Sequence, residues 1–197
     1  MKTAIGNQRS EVSWGTKMRL VAALLVVFVG CSRAPSDDRE ARSAASAFYD
    51  IYMKIRPSGV PIKEQQDQLK PVLSSRLTAL FYEASVAEGS NLKPVEGEAS
   101  PKIEGDLFTS LDQGALSYKI LQCESQKASA TCIVELGNID DRDNSKFTWK
   151  DRLFLVREGN RWVVDDIEYL GERQFMHKGH LKDLLSKVIE EAKKEAG

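Results

Sequence analysis

The spacing of apolar residues changes from a helical to an alternating pattern part-way along the chain. Up to residue 87 apolar side chains recur every three or four positions, which predicts amphipathic helices over residues 39–55 and 64–87. Pro71 should split or kink the second helix, because proline has no amide hydrogen to donate. From residue 116 apolar and polar residues alternate, which is the period of a strand. Helices followed by antiparallel strands predict an α+β fold.

The alternating half predicts a sheet and is followed by one more helix. The predicted strands cover residues 116–121, 131–136, 146–157 and 161–170. Gly159 and Asn160 tolerate positive φ, so they fit a tight turn between the last two strands. A final amphipathic helix is predicted over residues 178–195. We expect the helices to pack on one face of a curved antiparallel sheet. Several α+β folds show the same order of helices and strands, so this pattern alone does not distinguish among them.

The N-terminal segment resembles a bacterial lipoprotein signal. Residues 20–30 are uncharged and follow Lys17 and Arg19, and this run is shorter than the roughly 20 residues that a membrane-spanning helix needs. Residues 28–31, Phe-Val-Gly-Cys, resemble a lipobox in which Cys31 becomes the lipidated N-terminus. An ordinary cleavage site with an incidental cysteine is the alternative. The stretch before Met18 is unusually long for a signal peptide, so translation from Met18 instead of Met1 is a second hypothesis.

This segment predicts the domain organisation and the location of the protein. Residues 1–30 are the expected lipoprotein signal peptide, residues 31–38 a lipidated tether, and residues 39–197 the folded domain. In the lipoprotein sorting scheme that the signal resembles, aspartate after the cysteine retains a protein in the inner membrane. Ser32 occupies that position, so we expect an outer-membrane protein facing the periplasm. The net charge of −1 argues against binding to nucleic acid.

Four stretches of the chain carry a resemblance to a known family. Residues 48–50 read Phe-Tyr-Asp, residues 106–108 read Asp-Leu-Phe, and longer matches cover residues 69–85 and 151–171. In this order and spacing they resemble the YbjP-type lipoproteins, a family of domains of unknown function. The resemblance implies an NTF2-like cone, with N-terminal helices on a curved antiparallel sheet and a C-terminal helix. It also implies an envelope lipoprotein with no catalytic residues to assign.

Two cysteines in the predicted sheet suggest a disulfide. In a secreted protein an even pair is usually oxidised, and Cys123 and Cys132 lie near the facing ends of two adjacent predicted strands. A metal site would need further ligands nearby. His177 and His180 are spaced like metal ligands, but without acidic or sulfur partners we expect two solvated histidines at a helix start. Thus neither a metal nor a cofactor is predicted.

Other residues suggest either a ligand pocket or a structural role. Adjacent strand residues point to opposite faces, so we expect Asp165 or Asp166 to make a structural hydrogen bond and the other to face water. Residues 140–144 are interpreted as a solvated hairpin turn, not a calcium loop. The candidate pocket or interaction residues are Tyr49, Tyr52, Trp149, Trp162, Asp166 and Tyr169. For the aromatic residues, filling the core is the alternative.

Three functions are consistent with these features. The first is a non-enzymatic outer-membrane lipoprotein that serves as an accessory or interaction module of an envelope protein complex. The second is a carrier of a small apolar ligand in the interior of the cone. The third is an immunity protein that blocks a toxin acting in the periplasm. An enzyme ranks last, because the sequence lacks a recognisable catalytic motif.

Overall fold

The structure is a computed structural model that describes residue 1 and residues 35–90, 103–173 and 176–195. Contacts divide the chain into two units, Met1–Ser32 and Arg33–Gly197, and the described helices and strands lie in the second. Nearly all of the predicted signal peptide, including Met18, lies outside the described residues, as do Cys31 and Ser32. The elements are α1 (Pro35–Ile55), α2 (Lys63–Leu69), α3 (Ser75–Ser90), β1 (Ser117–Gln126), β2 (Ser129–Ile139), β3 (Lys146–Glu158), β4 (Arg161–Tyr169), β5 (Gly179–His180) and α4 (Leu181–Glu195).

The described residues form an α+β fold, as the change of period predicts. The strands pair antiparallel in the order β1-β2-β3-β4-β5, so each strand lies beside its neighbours in the chain. The turn between β3 and β4 is the predicted one, and Gly159 there has a φ of 61°. Among the described residues no helix combines the length and apolar character needed to span a membrane.

The first helix begins earlier than predicted. α1 starts at Pro35 instead of residue 39, so residues 35–38 of the predicted tether belong to the helix. Proline fits the first turn of a helix, where its missing amide hydrogen costs no hydrogen bond. The carboxylate of Asp38 accepts hydrogen bonds from the amide (2.7 Å) and hydroxyl (2.5 Å) of Ser125 in β1. This long-range contact holds the first turn against the sheet.

The second predicted helix is split, as Pro71 indicates. α2 ends at Leu69 and α3 begins at Ser75. The connecting backbone pairs with β4 instead: the amide of Ser74 donates to the Val164 carbonyl oxygen at 2.8 Å. The Ser74 hydroxyl also accepts from the amide of Leu77 at 2.9 Å, which is the usual way for serine to cap a helix.

The core lies between the helices and the sheet. α1 contributes a buried aromatic stripe in which the Phe48 ring lies 5.0 Å from Tyr49 and 5.8 Å from Phe108. The other fully buried large side chains come from every layer: Tyr52, Phe81, Leu69, Leu77, Leu107, Leu136, Leu153, Leu155 and Ile167. One core therefore joins the helical half of the chain to the strand half.

The sheet differs from the prediction at both edges. β1 and β2 extend beyond the predicted 116–121 and 131–136, and the short strand β5 takes the first residues of the predicted 178–195 helix. β1 is an edge strand and its register shifts between Ile120 and Gln122. At this shift the guanidinium of Arg42 in α1 donates to the carbonyl oxygens of Ile120 (2.6 Å) and Leu121 (3.0 Å).

Candidate functional site

The predicted pocket aromatics are part of the core. Tyr49, Tyr52, Trp149, Trp162 and Tyr169 are all buried. The Tyr49 ring packs edge-on against Tyr52 at 5.9 Å, and the Tyr169 hydroxyl donates to the Leu107 carbonyl oxygen at 2.6 Å. Of the two interpretations, the structure favours core filling.

The cysteine pair lies where the sequence predicts. Cys123 in β1 and Cys132 in β2 occupy directly opposed register positions and are joined in a disulfide. Both are buried at the α1 side of the sheet, within the core cluster. Their role here is structural, because the bond fastens the edge strand to the rest of the sheet.

The prediction for the two adjacent aspartates is wrong in one respect, because neither side chain is left to water. The β3–β4 register shifts between Phe154 and Leu155, so Asp165 and Asp166 do not simply alternate between faces. Asp165 accepts from the Ser74 hydroxyl at 2.6 Å and pairs with Lys182. Asp166 accepts from the Lys182 amide at 3.1 Å and from the amide of Ile167, which follows it, at 2.9 Å. Both carboxylates therefore fasten α4 to β4.

The histidines are not the solvated pair that the sequence predicts. His180 lies in β5, where its Nδ1 is 3.0 Å from the carboxylate of Asp166. His177 is partly buried, and its Nε2 is 2.7 Å from the carboxylate of Asp112 and 3.2 Å from the Asp106 carbonyl oxygen. The two histidines do lie just before a helix, as predicted, since α4 begins at Leu181 directly after His180. In the described part of the chain, no group of His, Cys, Asp or Glu has the arrangement of a metal site.

The predicted hairpin turn at residues 140–144 is present between β2 and β3. Its ends pair through the Asp140 amide, which donates to the Ser145 carbonyl oxygen at 2.8 Å. The Asp140 carboxylate accepts from Nε and Nη2 of Arg142 at 2.9 and 2.7 Å. These hydrogen bonds hold the pKa of Asp140 well below its usual value. The carboxylate is thereby engaged by the turn's own arginine.

The segment before β1 contains a buried carboxyl group that is not among the predicted site residues. Asp106 is 5% exposed, and its Oδ1 accepts from the amide of Phe108 at 2.7 Å. The Tyr52 hydroxyl makes a hydrogen bond with the same carboxyl group and accepts from the Ala115 amide at 2.9 Å. Gly114, with a φ of 73°, lets these groups meet, since a Cβ there would lie 2.6 Å from the Tyr52 hydroxyl.

Burial controls the protonation of this group. Desolvation raises the pKa of Asp106 to about 7, although hydrogen bonds from Tyr52 and Phe108 act in the opposite direction. Desolvation likewise raises the pKa of Tyr52, with the neighbouring Asp106 adding to the effect. A carboxyl group with such a pKa could exchange a proton near neutral pH, but here it is enclosed by its own segment. Its chemistry is therefore that of an internal anchor.

A second buried carboxylate joins the same segment to the sheet. Asp151 in β3 accepts from the Ser110 amide at 2.8 Å, from the Ser110 hydroxyl, and from the Leu170 amide at 2.9 Å. The indole of Trp149 adds a longer contact of 3.3 Å. Burial raises the pKa of Asp151 against the lowering effect of these hydrogen bonds. Residues 103–115 are thus fixed by two buried acids, not by apolar contacts alone.

The described surface also carries an apolar groove between two helices. α3 and α4 pack side by side, and a cavity of about 340 Å³ opens along their contact. Tyr82 is 63% exposed and Val86 is 50% exposed at its edge. Its remaining lining residues are Glu83, Ala87, Ile189, Ala192 and Lys193. The sequence did not identify Tyr82 or Val86 as candidate site residues, because both lie within the predicted amphipathic helix over residues 64–87.

Comparison of the chain with protein-family models and with curated proteins gives no match.

Proposed function

We propose that the protein is a non-enzymatic outer-membrane lipoprotein whose periplasm-facing domain binds another envelope protein as an accessory module. The observation that carries this proposal is the exposed apolar groove between α3 and α4. Membrane attachment would come from a lipid on Cys31, as the lipobox-like residues 28–31 suggest. More than one acyl chain would anchor such a protein stably, since each buried methylene contributes about 0.8 kcal/mol.

The groove fits a partner helix that presents apolar side chains. Tyr82 and Val86 lie one helical turn apart on α3, and Ile189 and Ala192 line the opposite wall on α4. Covering an exposed side chain the size of valine or larger contributes about 1.5–3 kcal/mol, which favours burial of this patch in a complex. Scattered apolar residues on a surface are ordinary, whereas a groove lined by several of them is typical of an interaction site.

The charges beside the groove specify the partner further. Glu83 borders it on α3 and Lys193 borders it on α4. A complementary segment would place a basic residue opposite Glu83 and an acidic residue opposite Lys193, around a central apolar stripe. We therefore assign the groove to an amphipathic helix of a partner protein.

The packed interior supports this function over the ligand-carrier alternative. Helices followed by an antiparallel meander are consistent with an NTF2-like domain of the YbjP type, which we keep as part of the proposal. In the ligand-carrier alternative the interior should be open. Tyr52 and Trp149 instead pack within the core, which counts against that alternative. An immunity protein would use the same groove for a toxin, so the identity of the partner separates these two interpretations.

Site-specific photo-crosslinking in cells tests the proposal. A benzophenone amino acid replaces Val86 in the full chain, and a matched variant carries it at Ile62, which is exposed before α2, far from the groove in sequence. We expect one stoichiometric crosslinked protein from position 86 and not from position 62. The Cys31→Ser variant should lose most of this product, because the protein would no longer be held at the membrane.

Binding of the purified partner then gives the decisive comparison. Tyr82→Lys should weaken the complex about tenfold or more, since it places a charge where apolar contact is needed, whereas Ile62→Lys should not change it. Equal crosslinking from both positions, or an affinity unaffected by Tyr82→Lys, would overturn the groove assignment. A captured toxin would replace the accessory role with the immunity role.

A further inference from the structure

The first half of strand β3 has a paired strand on one side only. On that side β2 pairs with β3 over residues 146–156 of β3. On the other side β4 pairs with β3 only from Arg152 onward, where Arg152 lies opposite Glu168. Residues 146–151 of β3 therefore form an edge of the sheet that β4 leaves uncovered.

The chain turns away from β3 just after β4 because the core binds its next two amides. The Leu170 amide donates to the Asp151 carboxylate at 2.9 Å, and the Gly171 amide donates to the Ser110 hydroxyl at 3.0 Å. A Cβ on Gly171 would overlap the sulfur of Met176, so this path requires a glycine. The diverted chain leaves a gap beside the uncovered half of β3.

The alternation of hydrogen bonds along β3 shows which backbone groups face the gap. At the start of the β2–β3 ladder the Ser145 carbonyl oxygen accepts from the Asp140 amide at 2.8 Å, and the register then runs without a shift. In an antiparallel pair the hydrogen-bonded positions alternate, so the odd-numbered residues of β3 bond to β2. The amide and carbonyl groups of Thr148 and Lys150 therefore point to the gap. In the described part of the chain no backbone hydrogen bond joins them to the segment after β4.

The gap is a cavity of about 330 Å³. Its lining includes, from β3, Thr148, Trp149 and Lys150 and, from the segment after β4, Leu170, Glu172 and Met176. Thr148 and Lys150 are exposed, whereas Trp149 and Met176 are buried. Buried apolar side chains and backbone groups at a sheet edge thus border the same space.

We infer that this gap binds an extended peptide segment of a partner protein, which adds to β3 as an antiparallel strand in line with β4. An extended backbone presents N–H and C=O groups at the spacing of a strand, which is what the β3 edge lacks. The segment's residues opposite Thr148 and Lys150 would each donate an N–H and accept at a C=O. The residue between them would lie opposite Trp149 on the inner face of the sheet, so it should be apolar.

Glu172 specifies one side chain of the segment. Its carboxylate is exposed, borders the cavity and has no ion pair among the described residues. Because Thr148 lines the same cavity, a basic residue opposite Thr148 would lie beside this carboxylate. We therefore expect an apolar residue followed by lysine or arginine in the part of the segment that enters the gap.

Titration of the purified full chain with a short peptide tests the inference. The probe is acetyl-Val-Thr-Val-Lys-Val-amide, whose threonine and lysine would lie opposite Lys150 and Thr148 in the antiparallel orientation. Calorimetry measures the affinity, and amide hydrogen exchange followed by NMR locates the bound peptide. We expect saturable binding that slows exchange at Thr148 and Lys150 and leaves exchange at Tyr82, in the α3–α4 groove, unchanged.

Two N-methylated peptides separate strand addition from other modes of binding. Methylation of the threonine and lysine nitrogens removes the N–H groups that would donate to β3, so it should weaken binding about tenfold or more. Methylation of the second and third valine nitrogens removes the same number of donors from the side that faces away from β3. This matched peptide should keep the affinity of the unmodified probe to within about twofold.

Variants on both walls of the gap test the contribution of the protein. Thr148→Pro removes an edge N–H without breaking a hydrogen bond to β2, so it should weaken binding about tenfold. Glu172→Lys should weaken binding of the probe about fivefold and favour a peptide with glutamate in place of lysine. Arg76→Gln, at an exposed position of α3, should leave binding unchanged. Thermal midpoints verify folding, and the N-methylated peptides give the same test on the native chain.

Three results would overturn the inference. The first is the absence of saturable binding by the probe. The second is an equal loss of affinity in the two N-methylated peptides, which would mean that the peptide does not pair with β3. The third is protection of the Thr148 and Lys150 amides in the chain alone, which would mean that a second copy already pairs with this edge. None of these results bears on the α3–α4 groove, so the inference and the proposed function fail separately.

Discussion

Replacement of Asp106 by asparagine should change how stability depends on pH. In the folded chain burial raises the pKa of this carboxyl from its ordinary value of 3.8 to about 7. Between these two values the folded state holds a proton that the unfolded state has released. The unfolding free energy of the native chain therefore falls as pH rises through this window, and above about pH 7 both states are ionised and the loss is complete.

The size of the effect follows from the two pKa values. A difference of about three pKa units corresponds to about 4 kcal/mol, since each unit is worth 1.36 kcal/mol. Asparagine keeps the oxygen that accepts from the Phe108 amide, and its amino group can donate to the Tyr52 hydroxyl. It therefore resembles the protonated carboxyl group. We expect Asp106→Asn to match the native chain near pH 4 and to exceed its stability by about 4 kcal/mol above pH 7.

Urea denaturation at a series of pH values measures this difference. Fluorescence of the buried Trp149 and Trp162 reports unfolding, from about pH 4 to about pH 8. Asp183→Asn, at an exposed position in the first turn of α4, is the matched control and should run parallel to the native chain. A constant difference between Asp106→Asn and the native chain over the whole range would refute the reasoning, because no proton would then be held at Asp106.

Three further predictions concern stability at a single pH. Tyr49→Phe should raise the unfolding free energy by about 1 kcal/mol, because the buried Tyr49 hydroxyl has no hydrogen-bond partner among the described residues. Tyr52→Phe should lower it by about 1–2 kcal/mol, because the Tyr52 hydroxyl accepts from the Ala115 amide. Urea denaturation measures both changes, and the same sign for both would contradict this prediction. Ser74→Ala should cost about 1 kcal/mol through loss of the α3 cap, with recovery in Ser74→Thr by the same assay. Reduction of Cys123–Cys132 should cost about 2.5 kcal/mol, and equal denaturation midpoints with and without reductant would show that the bond adds no stability.

Local patterns in the sequence were sufficient to predict the longer helices and strands of the fold, although not all of their bounds. The apolar spacing predicts α1 and the last helix, and Pro71 predicts the split between α2 and α3, because each depends on residues within one or two turns. Gly159 and Asn160 likewise identify the β3–β4 turn. Strand β5 was missed because two residues are too few to show a period, and its pairing partners lie in β4.

The buried acids illustrate what local patterns do not contain. Their hydrogen-bond partners lie far away in sequence: Asp106 makes a hydrogen bond with Tyr52, and Asp151 accepts from the amide of Ser110, 41 residues away. One signal was available for Asp151: it occupies an inward position in the alternation of Trp149, Asp151 and Leu153, where an apolar residue is the rule. Asp106 precedes two buried residues in an irregular segment, which has no period against which a polar residue would stand out.

Arg42, which reaches from α1 to the bulge of β1, bears on whether a strand of another molecule can pair with the edge of the sheet. An edge strand offers a row of backbone groups to which a strand of another molecule can add, and this is how many aggregates begin. At Ile120 and Leu121 the carbonyl oxygens already accept from Arg42, and the bulge interrupts the regular spacing that an added strand would need. The Arg42 side chain thus occupies two backbone acceptors of the edge strand, and these two groups are not available to a strand added from another molecule.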